Sequence, residues 1–133
     1  MRYSADLSQV AVGKYPAPFA IKDGAVPVGY AIDTRLMSPP RAEIRKTTDG
    51  QGLYTDNKRF LSIGLASEAT SIDLHTWLAA DLELFDGSGA SIFKTKLPAS
   101  PAGAIFAVPG KTIANIQLKA VSEFMLLVLG VEV

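Results

Sequence analysis

Ser71-Ile72-Asp73-Leu74-His75-Thr76-Trp77-Leu78-Ala79-Ala80-Asp81-Leu82-Glu83-Leu84-Phe85 is the stretch on which the fold class turns. Its even positions Ile72, Leu74, Leu78, Ala80, Leu82 and Leu84 are apolar, interrupted by Thr76, while Asp73, His75, Asp81 and Glu83 occupy odd ones. A period of two puts these sets on opposite faces of a strand. Leu74, Trp77, Leu78, Leu82 and Phe85 also share one helical face, and leucine and alanine are good helix formers. The next four residues decide for strand: Asp86-Gly87-Ser88-Gly89, between Leu82-Glu83-Leu84-Phe85 and Ser91-Ile92-Phe93-Lys94, reads as a hairpin loop.

Downstream, Leu97-Pro98-Ala99-Ser100-Pro101-Ala102-Gly103 reads as a rigid connection, followed by short strands over 104–108 and 113–118 with the turn signal Pro109-Gly110 between them. The run Phe124 to Val133 is apolar on both faces, which predicts a strand with packed neighbours on either side, locked into the core. Upstream, Phe60 to Ala66 reads as a strand, and Val26 to Asp33 alternates as a half-buried strand placed at a sheet edge by Pro27. Ser38-Pro39-Pro40 breaks the chain, Ala42 to Arg45 makes a short strand, and residues 46–59 read as a long, mobile loop around Thr47-Thr48-Asp49-Gly50-Gln51-Gly52. Five of the eight prolines fall in the first 40 residues and all four tyrosines before residue 55. Residues 1–25 therefore read as an extended arm with aromatic anchors, lying along its own domain or on a neighbouring subunit, ahead of a single β domain over 26–133. Seven or eight short strands with frequent turns favour an all-β sandwich, jelly roll or barrel.

At 133 residues, 48% apolar and 20% charged, the chain is an ordinary globular domain rather than a disordered one. Thirteen basic residues balance thirteen acidic ones, so neither nucleic acid nor an anionic membrane is an expected partner. The charge divides as nine basic and six acidic groups over 1–59, net +3, against four and seven over 60–133, net −3. The absence of cysteine closes thiolate chemistry, disulfides and Cys-ligated metal sites. No run reaches the ~20 apolar residues that span a bilayer, and the N-terminus lacks an apolar signal core, so a soluble protein made in the cytosol is expected.

Chemistry has few carriers. His75 is the single imidazole, so a Ser-His-Asp arrangement would need it with Asp73, yet its neighbours do not form a nucleophile elbow. Asp81, Glu83 and Asp86 could pair as carboxylates or hold calcium, but the loop at 86–89 is too short and too poor in acid for a calcium site. No phosphate-cradling glycine loop occurs. No catalytic residue, metal or cofactor is therefore expected. Arg41, Arg45, Lys46, Lys58 and Arg59 gather around the 46–59 segment, offset by Glu43, Asp49 and Asp56. Asp73, His75 and Trp77 on one strand face could form a sugar-stacking platform, because an indole beside polar groups suits carbohydrate faces.

The start Ser4 to Val12, the strand ending Ala31-Ile32-Asp33, Phe60-Leu61-Ser62-Ile63, Ser71-Ile72-Asp73-Leu74, Leu97-Pro98, Pro101-Ala102-Gly103 and the closing strand Phe124 to Val133 are arranged in one order of elements. In that order the chain resembles the capsid cement, or decoration, proteins of tailed bacteriophages. The resemblance implies a jelly-roll sandwich without catalysis that self-associates, as a dimer or trimer, and binds the major capsid protein on the virion surface. Tyr3, Tyr15 and Phe19 of the arm and Arg41, Arg45 and Arg59 are the contact residues expected on this reading. The alternative is a carbohydrate-binding β-sandwich using Trp77 and His75.

Overall fold

The computed structural model describes residues 1–34 and 41–133. Thirteen strands are present among them: β1 (Arg2–Asp6), β2 (Gly13–Pro16), β3 (Phe19–Asp23), β4 (Val26–Thr34), β5 (Arg41–Thr47), β6 (Gly50–Asp56), β7 (Phe60–Ala69), β8 (Ser71–Trp77), β9 (Ala80–Phe85), β10 (Ser91–Leu97), β11 (Ala104–Phe106), β12 (Ile113–Ala120) and β13 (Glu123–Glu132). They pair antiparallel in two layers. One runs β3-β4-β7-β12-β9-β10; the other runs β2-β5-β6-β13-β8-β11, with β1 beside the C-terminal half of β13. Among the described residues, the pair Asp33↔Arg41 joins the layers. From β7 to β9 and again from β10 to β13 the chain passes repeatedly from one sheet to the other, so the all-β sandwich is of jelly-roll type.

The alternation over 71–85 is real, but two strands share it. Ile72, Leu74 and Thr76 of β8 face inward in one sheet, and Ala80, Leu82 and Leu84 of β9 face inward in the other. Between them Leu78, at φ 67°, turns the chain across the sandwich. Thr76, the interruption in the apolar pattern, is fully buried, and its hydroxyl accepts from the Ser100 amide at 3.0 Å. Its polarity is thereby satisfied in the core. The β9–β10 hairpin closes as expected: the Asp86 carboxylate accepts from the amides of Ser88 and Ala90 and from the Ser88 hydroxyl. These bonds, with the Ser88 hydroxyl foremost, hold its pKa below the ordinary carboxylate value. Strand β13 is central, flanked by β8 on one side and by β6 and β1 on the other, with Phe124, Leu126 and Leu129 buried.

Three local expectations are corrected. Residues 46–59 are not a long loop: β5 and β6 form a tight hairpin at Thr47↔Gly50, with Leu53, Tyr54 and Thr55 buried. Gly50 and Gly52, read as turn residues, belong to β6: Gly50 leaves the turn at φ +148°, and Gly52 lies where a Cβ would strike the Leu126 carbonyl of β13. Strand β4 is not an edge. It pairs with β3 and with β7, and Pro27 is accommodated where the β3 register shifts, beyond the last β7 partner at Gly29. Residues 1–25 are extended but woven into both sheets, with Ala5, Leu7 and Ile21 inside the common core. The chain break at Ser38-Pro39-Pro40 lies outside the described residues.

Candidate functional site

Strand β8 presents Asp73, His75 and Trp77 on the outer face of its sheet, as alternation requires. The fold engages the His75 ring nitrogens, the Trp77 indole and one Asp73 oxygen, while buried Asp73 Oδ1 has no hydrogen-bond partner among the described residues. His75 Nε2 lies 3.1 Å from Asp73 Oδ2, its Nδ1 lies 3.2 Å from the Pro101 carbonyl, and the Trp77 indole donates to Asp49 Oδ2 at 3.3 Å. Gly103, at φ +105°, roofs the pair so closely that a Cβ there would stand 2.7 Å from Asp73 Oδ1 and 2.8 Å from His75 Nε2. Beyond them a hollow of about 200 Å³ opens over Gly130, among Arg2, Ser4, Ser71 and Ile105. Asp81 lies on β9, in the other sheet, so His75 and Asp81 are not brought together.

Along the same outer face, one register row runs Glu43, Tyr54, Met125, Trp77. The Arg45 guanidinium lies 3.6 Å over the Tyr54 ring and 2.7 Å from Glu43, and Tyr54 donates its hydroxyl to Glu123 at 2.9 Å. Burial works against the Arg45 charge, but the Glu43 carboxylate outweighs it and the pKa is raised. Burial, and next the bond to Glu123, also raise the Tyr54 pKa. Arg59 is only 6% exposed, between Glu43 and Asp56. Arg45 and Arg59 thus bind elements of their own domain, and the Arg41 side chain lies outside what is described. The arm aromatics are likewise engaged at home. Tyr15 and Phe19 stack at 5.1 Å, the Tyr15 hydroxyl donates to the Ala11 carbonyl, and Tyr3 packs on the core and reaches Met1 Sδ.

The opposite outer face differs. Strands β10, β9 and β12 place Lys96, Asp81 and Lys119 in one register row, and Lys94, Glu83 and Gln117 in the next, which continues to Ser62 on β7 and Ile32 on β4. The residues of β10, β9 and β12 in these rows line a groove of about 550 Å³ that also takes in Phe60 and Thr95. Among the described residues, the side chains of Asp81, Glu83, Lys94, Lys96, Gln117 and Lys119 form no hydrogen bond or ion pair with one another or with their surroundings. Donors and acceptors of both signs therefore stand ready for a ligand. Sequence reasoning missed this groove because Gln117 and Lys119 are ordinary outward positions on β12, and only strand order brings them beside β9 and its hairpin partner β10. The one signal available was the odd-numbered acid pair Asp81 and Glu83.

No protein-family model matches the chain, and no curated protein matches it in sequence. Solved structures do resemble it in fold. A variant of CBM29-2, a family 29 carbohydrate-binding module, aligns with TM-score 0.53 at 9% identity, over 98% of this chain and 91% of that one. Two further variants, one complexed with mannohexaose and one with cellulohexaose, each give TM-score 0.51 at 7% and 8% identity, over 98% of this chain and 90% of theirs. At such identities the likeness establishes the β-sandwich fold. It also overturns the capsid cement resemblance, since the fold neighbours are carbohydrate-binding modules and not decoration proteins. The partners drawn from that resemblance, a major capsid protein and further copies of this chain on a virion, fall with it. The physical reason is that strand spacing and short turns are common to many β-sandwiches and carry no information about a partner.

Proposed function

We propose that this protein binds carbohydrate, holding an oligosaccharide in the groove across β10, β9 and β12. The observation that carries the reading is the set of unengaged side chains there: Asp81 and Glu83 accept, Lys94, Lys96 and Lys119 donate, and Gln117 does both. Sugar hydroxyls are donors and acceptors in turn, and a groove that mixes both suits them. Three lysines against two carboxylates leave little net field, which fits a neutral ligand better than a polyanion. The fold likeness to modules solved with mannohexaose and cellulohexaose supports the same reading. Binding in this groove lies away from Trp77 and His75, whose polar atoms are already used.

Calorimetric titration with mannohexaose and cellulohexaose tests it. A Gln117→Ala, Lys94→Ala double variant is expected to weaken binding at least tenfold, since a hydrogen bond to a charged group contributes about 1.5–3 kcal/mol. Binding that survives this change but vanishes in a folded Trp77→Ala variant would move the site to β8.

A further inference from the structure

We infer that Gly64 is the floor, and Tyr30 the wall, of a subsite adjoining that groove, which takes the ring face of one sugar residue of a neutral oligosaccharide. The inference rests on the carbohydrate reading above. The next register row beyond Gln117 runs Phe85, Asn115, Gly64, Tyr30 across β9, β12, β7 and β4. Consecutive rows on one face are about 6.6–6.8 Å apart, so this row adjoins the charged groove.

Glycine inside a strand weakens it and marks a place where something approaches the backbone closely. At the other strand-interior glycines the fold supplies that neighbour. A Cβ on Gly52 would meet the Leu126 carbonyl oxygen at 2.2 Å, on Gly29 the Ile63 side chain at 3.0 Å, and on Gly130 Asp73 Cβ at 3.1 Å. Over Gly64 nothing among the described residues is closer than Asn115 Nδ2 at 3.8 Å, an ordinary contact, and its φ is not in the left-handed region. Neither packing nor backbone conformation demands glycine at this position. A ligand lying flat on the sheet does.

The surrounding side chains fit a sugar. Tyr30 is 42% exposed and stands directly opposite Gly64 in the ladder, offering a ring to the C–H face of a pyranose. The Ser62 hydroxyl donates to Asn115 Oδ1 at 3.4 Å, which leaves the Asn115 amide N–H groups, above Gly64, to donate to a sugar oxygen.

The experiment uses the full chain, with mannohexaose and cellulohexaose as probes. Gly64→Val, a strand-favouring change that fills the floor, is expected to keep or raise the melting temperature and to weaken binding at least tenfold. Tyr30→Ala is expected to weaken it similarly. In the wild-type protein the Gly64 amide resonance is expected to shift on saturation, a readout independent of either variant's folding. An unmoved Gly64 resonance, or full affinity in folded Gly64→Val, while the Gln117→Ala, Lys94→Ala variant still loses binding, would overturn this inference and spare the groove. Failure of the wild type to bind either probe would overturn both.

Discussion

Gly52→Ala and Gly64→Ala make the same chemical change on two strands and are expected to act in opposite directions. At Gly52 the new Cβ would lie 2.2 Å from the Leu126 oxygen and 2.8 Å from its carbonyl carbon, both backbone atoms. Ordinary contact begins at 3.4 Å, so β6 and β13 must part by 3.4 − 2.2 = 1.2 Å. Widening a ladder of ~4.8 Å spacing by that much takes its N–H···O bonds out of range. The pairs at risk run from Glu123↔Asp56 to Leu126↔Leu53, in the middle of the sheet. With about 0.5–1.5 kcal/mol net for each lost bond, plus loosened packing around Leu53 and Phe124, the cost comes to about 3 kcal/mol or more. For a domain of this size that is a fall of roughly 10 °C or more in Tm. At Gly64 the Cβ has room, and relief of glycine's entropic cost is expected to stabilise by about 0.5 kcal/mol. Thermal and urea unfolding monitored by circular dichroism measure both. A Gly52→Ala variant within about 1 kcal/mol of wild type would refute the reasoning, since it would mean that the sheet absorbs a backbone clash without cost.

The same geometry sets three further outcomes. Trp77→Ala removes the cover of buried Met125 and the bond to Asp49, and is expected to cost about 1–3 kcal/mol in urea unfolding while leaving hexasaccharide affinity unchanged. Asp86 has a lowered pKa in the folded state, so its stabilisation of the β9–β10 hairpin is present above the unfolded-state pKa and lost as pH falls through the folded one; the protection of the Ser88 and Ala90 amides, relative to their intrinsic exchange rates, should fall across that acid window and not in Asp86→Asn. Tyr54 has a raised pKa, so its contribution is present below the unfolded-state value and lost as pH rises through the folded one. Tyr54→Phe should accordingly flatten the alkaline limb of the stability profile, and an unchanged limb would exclude Tyr54 as its source.

The β class, the hairpin at 86–89, the strand at the C-terminal run and the inward faces of β8 and β9 were legible in the sequence, because alternation and turn chemistry are local properties of the chain. Three features were not. The crossing at Leu78 is hidden by an apolar alternation that runs in phase through two strands of different sheets. The β5–β6 hairpin looked like a loop because Gly52 is demanded by the approach of the β13 backbone, some seventy residues away, and not by a turn. The groove was invisible because Lys94, Gln117 and Glu83 become one row only when β12 inserts between β9 and β7. Sequence alone determined the inward faces of β8 and β9, since those depend on a period of two and on water's rejection of apolar surface, but not that of β4, where apolar Tyr30 and Ile32 point outward and Ala31 inward. Which outward residues meet was decided by the tertiary structure, because strand order joins distant segments through backbone hydrogen bonds that no side-chain pattern specifies.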